Sequence, residues 1–215
     1  MHGRKDLASE SLEAARPYIS RHRSAQHKFS RGDAVLLVID MQRYFLEKSS
    51  HAYLPEAEGI VGNVRSMIDS CRRASVPIVF TRHAHEPGEE LGAMGRWWAD
   101  AIVDGTEMSM IDERFAPLRT EKVLRKTTYS AFSGTQLERL LTARKASQLL
   151  ITGVQTHLCC ESTAREAFLK GFDVFLVVDG TASSSRDLHL SSVKTLTDGF
   201  AIPVTTKEVL RWTRR

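Results

Sequence analysis

The sequence predicts an α/β protein: a doubly wound, six-stranded parallel sheet with helices on both faces. Three observations lead there. Continuous apolar runs of strand length recur, among them AVLLVI (34–39), QLLITGV (148–154) and DVFLVVD (173–179). Such runs lack the alternation of a strand with one wet face and suit strands buried on both sides. Between them lie stretches with apolar residues at helical spacing, and the two kinds of segment take turns along the chain, the pattern of parallel strands joined by helical crossovers.

Taken in order, residues 1–33 form a polar N-terminal arm, and residues 34–215 the main domain. The arm holds one amphipathic helical stretch around Leu12–Ile19, expected to break at Pro17 because proline removes a backbone donor. Strand one is 34–39. Ile60, Val61, Val64, Met67, Ile68 and Cys71 then mark a helix over 60–74, with Cys71 on its apolar face. VPIVF (76–80) is the second strand, followed by an irregular segment from Thr81 to about Thr120. KVLR (122–125), a helix over 135–144, QLLITGV, a helix over 158–169 and DVFLVVD come next. A helix over 187–197, the strand AIPVTT (201–206) and a short basic helix finish the chain.

Composition narrows the functions open to the chain. With 215 residues, 42% hydrophobic and 26% charged, it suits one domain with a sizeable core. No apolar run approaches the ~20 residues of a membrane span. The N-terminus MHGRKDLASE has no apolar segment of the signal-peptide kind. Three cysteines are too few and too odd in number for a disulfide framework and suit a reducing compartment, so the expected location is the cytoplasm. The net charge of +4 sits in the ends: residues 1–33 and 207–215 carry +3 each, which leaves −2 on the body. A nucleic-acid groove needs its basic residues on the folded body, so that class of partner is not expected.

In a parallel sheet with helices on both faces, ligands bind beyond the carboxyl ends of the strands. The residues there are Asp40, the 81–85 segment, Lys126, the 154–160 turn and Asp179. Asp40, Lys126 and Cys159 supply a carboxylate, an ammonium and a thiol. Brought together they make a nucleophilic site: a nearby lysine and a helix N-terminus lower a thiol pKa, and an aspartate shuttles the proton. Every parallel sheet ends in some polar residues, so spacing alone leaves both readings open. Helical geometry separates the two adjacent thiols. Cys160, Ala164, Ala167 and Phe168 form an apolar stripe that faces the core, while Cys159 lies ~100° off it in the first turn.

Four blocks carry a resemblance to a known family. VIDMQRYF (38–45), KTTYSAFSGTQLERLL (126–141), LLITGVQTHLCCESTAREAFLKGFDVFLVVDGTAS (149–183) and SRDLHL (185–190) stand in the order found in the isochorismatase-like, or cysteine hydrolase, superfamily. The resemblance runs from about Ala34 to Leu210. It implies hydrolysis of a C–N bond of a small amide, carbamoyl or ureido substrate, in a homodimer or homotetramer and without a cofactor. It implies Asp40 as general base, Lys126 as the group that depresses the thiol pKa and stabilises charge, and Cys159 as nucleophile. It also implies a cis peptide at Val154–Gln155, with the N–H groups of Gln155 and Cys159 as an oxyanion hole. Phe45, Trp97, Trp98 and Tyr129 are candidates for an apolar wall over the substrate.

Departures from the family pattern bear on the branch. Nicotinamidases carry a D-x-H metal motif after strand two; here the stretch is FTRHAHEP, with His83 and His85, which weighs against a metal and against that activity. The vinyl-ether-cleaving isochorismatases resemble this chain in SRDLHLSSVKTL and in the block ending MIDERFAP. They read G-V-Y-A-H-x-G, however, with glycine at the position of Cys159. That branch, with Asp40 as general acid, is the alternative; a small-molecule-binding or redox-sensing relative is the non-enzymatic one. Arg165 is expected at the surface or a subunit contact, and His157 and His189 fall on no catalytic position.

Overall fold

The computed structural model describes residues 6–19 and 28–214. Arg4, Lys5, Arg21, Arg23 and Arg215, much of the basic charge at the two ends, lie outside them. Six strands form one sheet in the order β3-β2-β1-β4-β5-β6, and every neighbouring pair is parallel. The strands are β1 (Ala34–Ile39), β2 (Ile78–His83), β3 (Lys122–Lys126), β4 (Gln148–Val154), β5 (Asp173–Ala182) and β6 (Ile202–Val204). The longer helices are α1 (Leu7–Ile19), α4 (Val61–Arg73), α7 (Glu161–Leu169), α8 (Arg186–Gly199) and α9 (Thr206–Thr213). Shorter ones are α2 (Arg43–Leu46), α3 (Pro55–Glu58), α5 (Gly92–Trp98) and α6 (Leu137–Ala143).

Every residue of β1 is buried, because the pleat sends alternate side chains into two separate cores. Leu36 and Val38 join Phe80, Phe175, Met67 and Val209 on the face covered by α4 and α9. Val35, Leu37 and Ile39 join Leu176, Leu137, Ala164 and Val193 on the face covered by α1, α6, α7 and α8. Burying each such aliphatic side chain contributes about 1.5–3 kcal/mol. Strand order reverses between β1 and β4, and their carboxyl ends therefore open a crevice between diverging connections.

Several elements differ from expectation. Helix α1 begins at Leu7, and Pro17 sits inside it rather than breaking it. Proline in a last turn forfeits one hydrogen bond just where the helix is ending anyway. Strand β2 runs on to His83, so Thr81 and His83 belong to the sheet and not to the loop after it. Strand β5 extends to Ala182 through a register shift against β4, which leaves Asp179 within the strand. Its Oδ1 accepts from the N–H and hydroxyl of Thr206 at the start of α9, far from the role of a strand-end ligand group. The apolar stripe holds for Cys160, Ala164 and Ala167, all fully buried, but Phe168 is 48% exposed and packs edge-on against Phe200. Cys71 is buried in the core, as its helical face implied.

Candidate active site

Ile39 ends β1, and the chain turns at once: Asp40 has a φ of 48°, in the left-handed region that aspartate tolerates better than most residues. Thr81 on β2 holds it there. The Thr81 hydroxyl donates to Asp40 Oδ1 at 2.7 Å, and the Asp40 N–H points at the Thr81 carbonyl. Gln42 braces the same corner, its amide donating to the carbonyls of His83 and Ser109 and accepting from the His83 N–H.

Lys126, the last residue of β3, starts two strands away and reaches across on its four-carbon stem. Its Nζ lies 2.7 Å from Asp40 Oδ2, 3.3 Å from Cys159 Sγ and 3.0 Å from the Thr128 carbonyl, which uses all three ammonium donors. The Asp40 and Lys126 side chains are both fully buried. Burial opposes the ammonium charge, but Asp40 and Cys159 outweigh it and hold the Lys126 pKa above its ordinary value.

Cys159 comes from the turn that follows β4. Gly153 in that strand has a φ of +117°, and a Cβ there would stand 2.0 Å from the Ile39 carbonyl oxygen. Only glycine lets β4 approach β1 this closely. The Val154–Gln155 peptide is cis. Thr156–Cys160 then forms a π-helical turn leading into α7, so Cys159 lies ahead of the α-helix and not in its first turn. Such turns are frequent at functional positions. Two influences oppose each other at the thiol, and Lys126 acts in the expected direction. Burial pushes the Cys159 pKa up to about 12, and the adjacent Lys126 offsets only part of the rise.

Above Sγ opens a pocket of about 290 Å³, near the small end for ligand sites. Phe45, Tyr129, Leu158 and Gln155 line it, as does Trp98, whose indole N–H donates to the Tyr129 hydroxyl at 2.8 Å. Trp97 does not: it is 79% exposed and turned away. Adjacent residues of a helix point ~100° apart, so only one of the two tryptophans faces the pocket. His83 and His85 are both buried in its lining. Burial and then Lys126 bring the His83 pKa down to about 4, and His85 Nδ1 has no partner among the described residues. The described residues hold no group of three or more His, Cys, Asp or Glu placed to bind a metal ion. Two imidazoles are fewer protein ligands than a structural or catalytic zinc site uses.

Tyr44, His51 and Asp100 form a polar cluster at the mouth that the sequence did not signal, because its members come from separate loops and a four-residue helix. The Tyr44 hydroxyl donates to Asp100, and His51 Nε2 lies 2.8 Å from the same carboxylate. Among the described residues no arginine or lysine lines the pocket. Of the residues left unassigned, His157 pairs with Ser183, and His189 is buried between Ser11 and Thr156. Arg165 pairs with Glu161 and lies over the Phe200 ring.

The fold and this cluster define a doubly wound α/β protein with a buried carboxylate–ammonium–thiol centre beneath a small-molecule pocket. Residues 34–208 match the family model of the Isochorismatase domain. Nicotinamidase 3 of Arabidopsis thaliana is 41% identical over 198 residues, 91% of this chain and 92% of that protein. Enterobactin synthase component B of Escherichia coli K12 is 33% identical over 178 residues, 82% of this chain and 62% of that protein. The crystal structure of a cysteine hydrolase from Pseudomonas syringae pv. phaseolicola 1448A shares the fold with a TM-score of 0.84, covering 86% of this chain and 94% of that one at 24% identity. The chain belongs to the isochorismatase family and is a hydrolase of that family, which sets aside the non-enzymatic reading.

Proposed function

We propose that the enzyme hydrolyses the C–N bond of a small, uncharged carboxamide with Cys159 as nucleophile. The observation that carries this is the single ammonium, Lys126 Nζ, set 2.7 Å from Asp40 and 3.3 Å from Cys159 Sγ under the pocket. Asp40 takes the thiol proton as Sγ attacks the amide carbon. Net charge in the buried cluster is unchanged by this transfer, since Lys126 faces one anion before it and one after. The N–H groups of Gln155 and Cys159 hold the oxyanion. Protonated Asp40 returns its proton to the departing nitrogen, ammonia leaves, and a thioester remains. Water, deprotonated by Asp40, attacks that carbonyl and releases the acid and the thiol.

Two observations favour an amide over isochorismate. A dicarboxylate calls for cationic partners, and no arginine or lysine lines the pocket among the described residues. A thiol stands at the position where vinyl-ether cleavage needs none. The relatives named enterobactin synthase component B and isochorismatase keep that branch as the competing reading, with Asp40 as general acid. Among amides nicotinamide comes first: the relative named Nicotinamidase 3, at 41% identity, outweighs the missing D-x-H motif. The apolar, aromatic lining suits a flat ring. Carbamoyl substrates come second, on the 27% identity to an N-carbamoylsarcosine amidase from Arthrobacter.

The test is ammonia release from nicotinamide and a panel of carbamoyl and ureido amides, alongside pyruvate release from isochorismate. Iodoacetamide labelling with peptide mapping is run on the same protein. Label on Cys159 and loss of ammonia release in Cys159→Ala support the proposal. Label on Cys160, or isochorismate cleavage undiminished in Cys159→Ala, defeats it.

A further inference from the structure

Helix α1 precedes the matched region 34–208, yet a buried chain of hydrogen bonds runs from it to the turn that carries Cys159. Ser11 Oγ lies 3.0 Å from Nε2 of His189, and Nδ1 of the same ring lies 2.9 Å from Thr156 Oγ1. Ser11 and Thr156 are fully buried, and His189 is 2% exposed. Thr156 opens the π-helical turn three residues before Cys159, and its carbonyl accepts the Glu161 N–H at the turn's end.

The imidazole has both nitrogens engaged. Burial, and then Arg186, lower the His189 pKa to about 4, so the ring is neutral, with one donor and one acceptor nitrogen. A hydroxyl serves as either, so the chain is satisfied in both directions only while both hydroxyls are present. Glu10 on α1 pairs with Arg186 at the start of α8, which fixes the two helices at the same level as Ser11 and His189. Ala15 on α1 packs in the same apolar cluster as Cys159 and Cys160.

We infer that α1 is part of the catalytic unit, with Ser11 and His189 as positioning residues that hold Thr156 and thereby set Cys159 Sγ against Lys126 Nζ. This rests on Cys159 being the nucleophile. Without the Ser11 hydroxyl the ring loses its anchor on one side, and the turn gains freedom. A nucleophile displaced by a fraction of an ångström loses rate while the pocket walls from other segments, Phe45, Trp98 and Tyr129 among them, still bind substrate.

The experiment compares Ser11→Ala with Ser70→Ala in the full chain. Ser70 is a matched control: its Oγ lies 2.7 Å from Thr213 Oγ1, a buried hydroxyl pair joining α4 to α9 on the opposite face of the sheet. The readouts are kcat and KM for ammonia release, the rate of Cys159 alkylation by iodoacetamide, and thermal melting. Ser11→Ala is expected to lower kcat and the alkylation rate about tenfold each, with KM within about twofold. Ser70→Ala is expected to lose similar melting temperature and to change neither rate. If Cys159 is labelled at the same rate in Ser11→Ala, Ser70→Ala and wild type, the inference is wrong and the proposed chemistry stands. If Cys159→Ala still releases ammonia, the proposed chemistry fails first and takes the inference with it.

Discussion

The floor of the pocket and its walls are built in different ways. Lys126 ends β3, Asp40 follows β1 directly, and Cys159 sits in the turn after β4; all three are buried along the carboxyl edge of the sheet. Phe45, Trp98, Tyr129, His51 and Asp100 come from short helices and loops, and none of them is fully buried. A rigid sheet holds reacting atoms to within fractions of an ångström, while loops re-aim without disturbing it. On the proposed function, chemistry belongs to the floor and selectivity to the walls.

That division yields graded predictions. Removing the proposed nucleophile should have the largest effect: Cys159→Ala is expected to lower kcat for ammonia release by at least about 10³-fold with little change in melting temperature. Lys126→Met removes the counter-ion of a fully buried carboxylate, so it abolishes turnover and also destabilises by about 3–5 kcal/mol in urea unfolding. Gly153→Ala touches no reacting atom but drives a methyl into the Ile39 carbonyl, and should cost more than about 2 kcal/mol by the same measurement. A wall change is milder. Tyr129→Phe frees the Trp98 indole and is expected to raise KM about threefold with kcat unchanged. A loss in kcat instead would move Tyr129 to the floor and break the comparison.

A separate effect is in pH, and it tests the burial of two histidines rather than turnover. His83 and His189 are held neutral, with pKa values lowered to about 4 chiefly by burial. The unfolded chain, with histidines near 6.5, binds protons first as pH falls. Their contribution to stability is full above about pH 6.5 and is lost progressively down to about pH 4. The melting temperature should decline across that window, and less steeply in His83→Gln. An equal slope in the variant would show that His83 is solvated in the native state.

Much of the floor was legible before any coordinates. The apolar runs located the strands, and a parallel sheet puts its ligand site at their carboxyl ends, which offered Asp40, Lys126 and Cys159 alongside the 81–85 segment and Asp179; the family resemblance chose among them. The stripe through Cys160, Ala164 and Ala167 separated the two thiols. Less could be read of the walls. Trp97 and Trp98 are indistinguishable in sequence, and only the orientation of a seven-residue helix chooses between them. Tyr44, His51 and Asp100 share no periodicity. Ser11 and His189 lie 178 positions apart, and nothing local to either announces the other.

The sequence by itself determined the order of strands and helices, the residues at the strand ends and the family to which they belong, because side-chain period and motif spacing are local properties of a chain. Tertiary structure decided the electrostatics and the reach. A lysine beside a thiol argues for an easily formed thiolate, yet burial outweighs it and raises the Cys159 pKa. Desolvation, pocket shape and the buried link from α1 depend on which distant segments meet, and packing alone settles that.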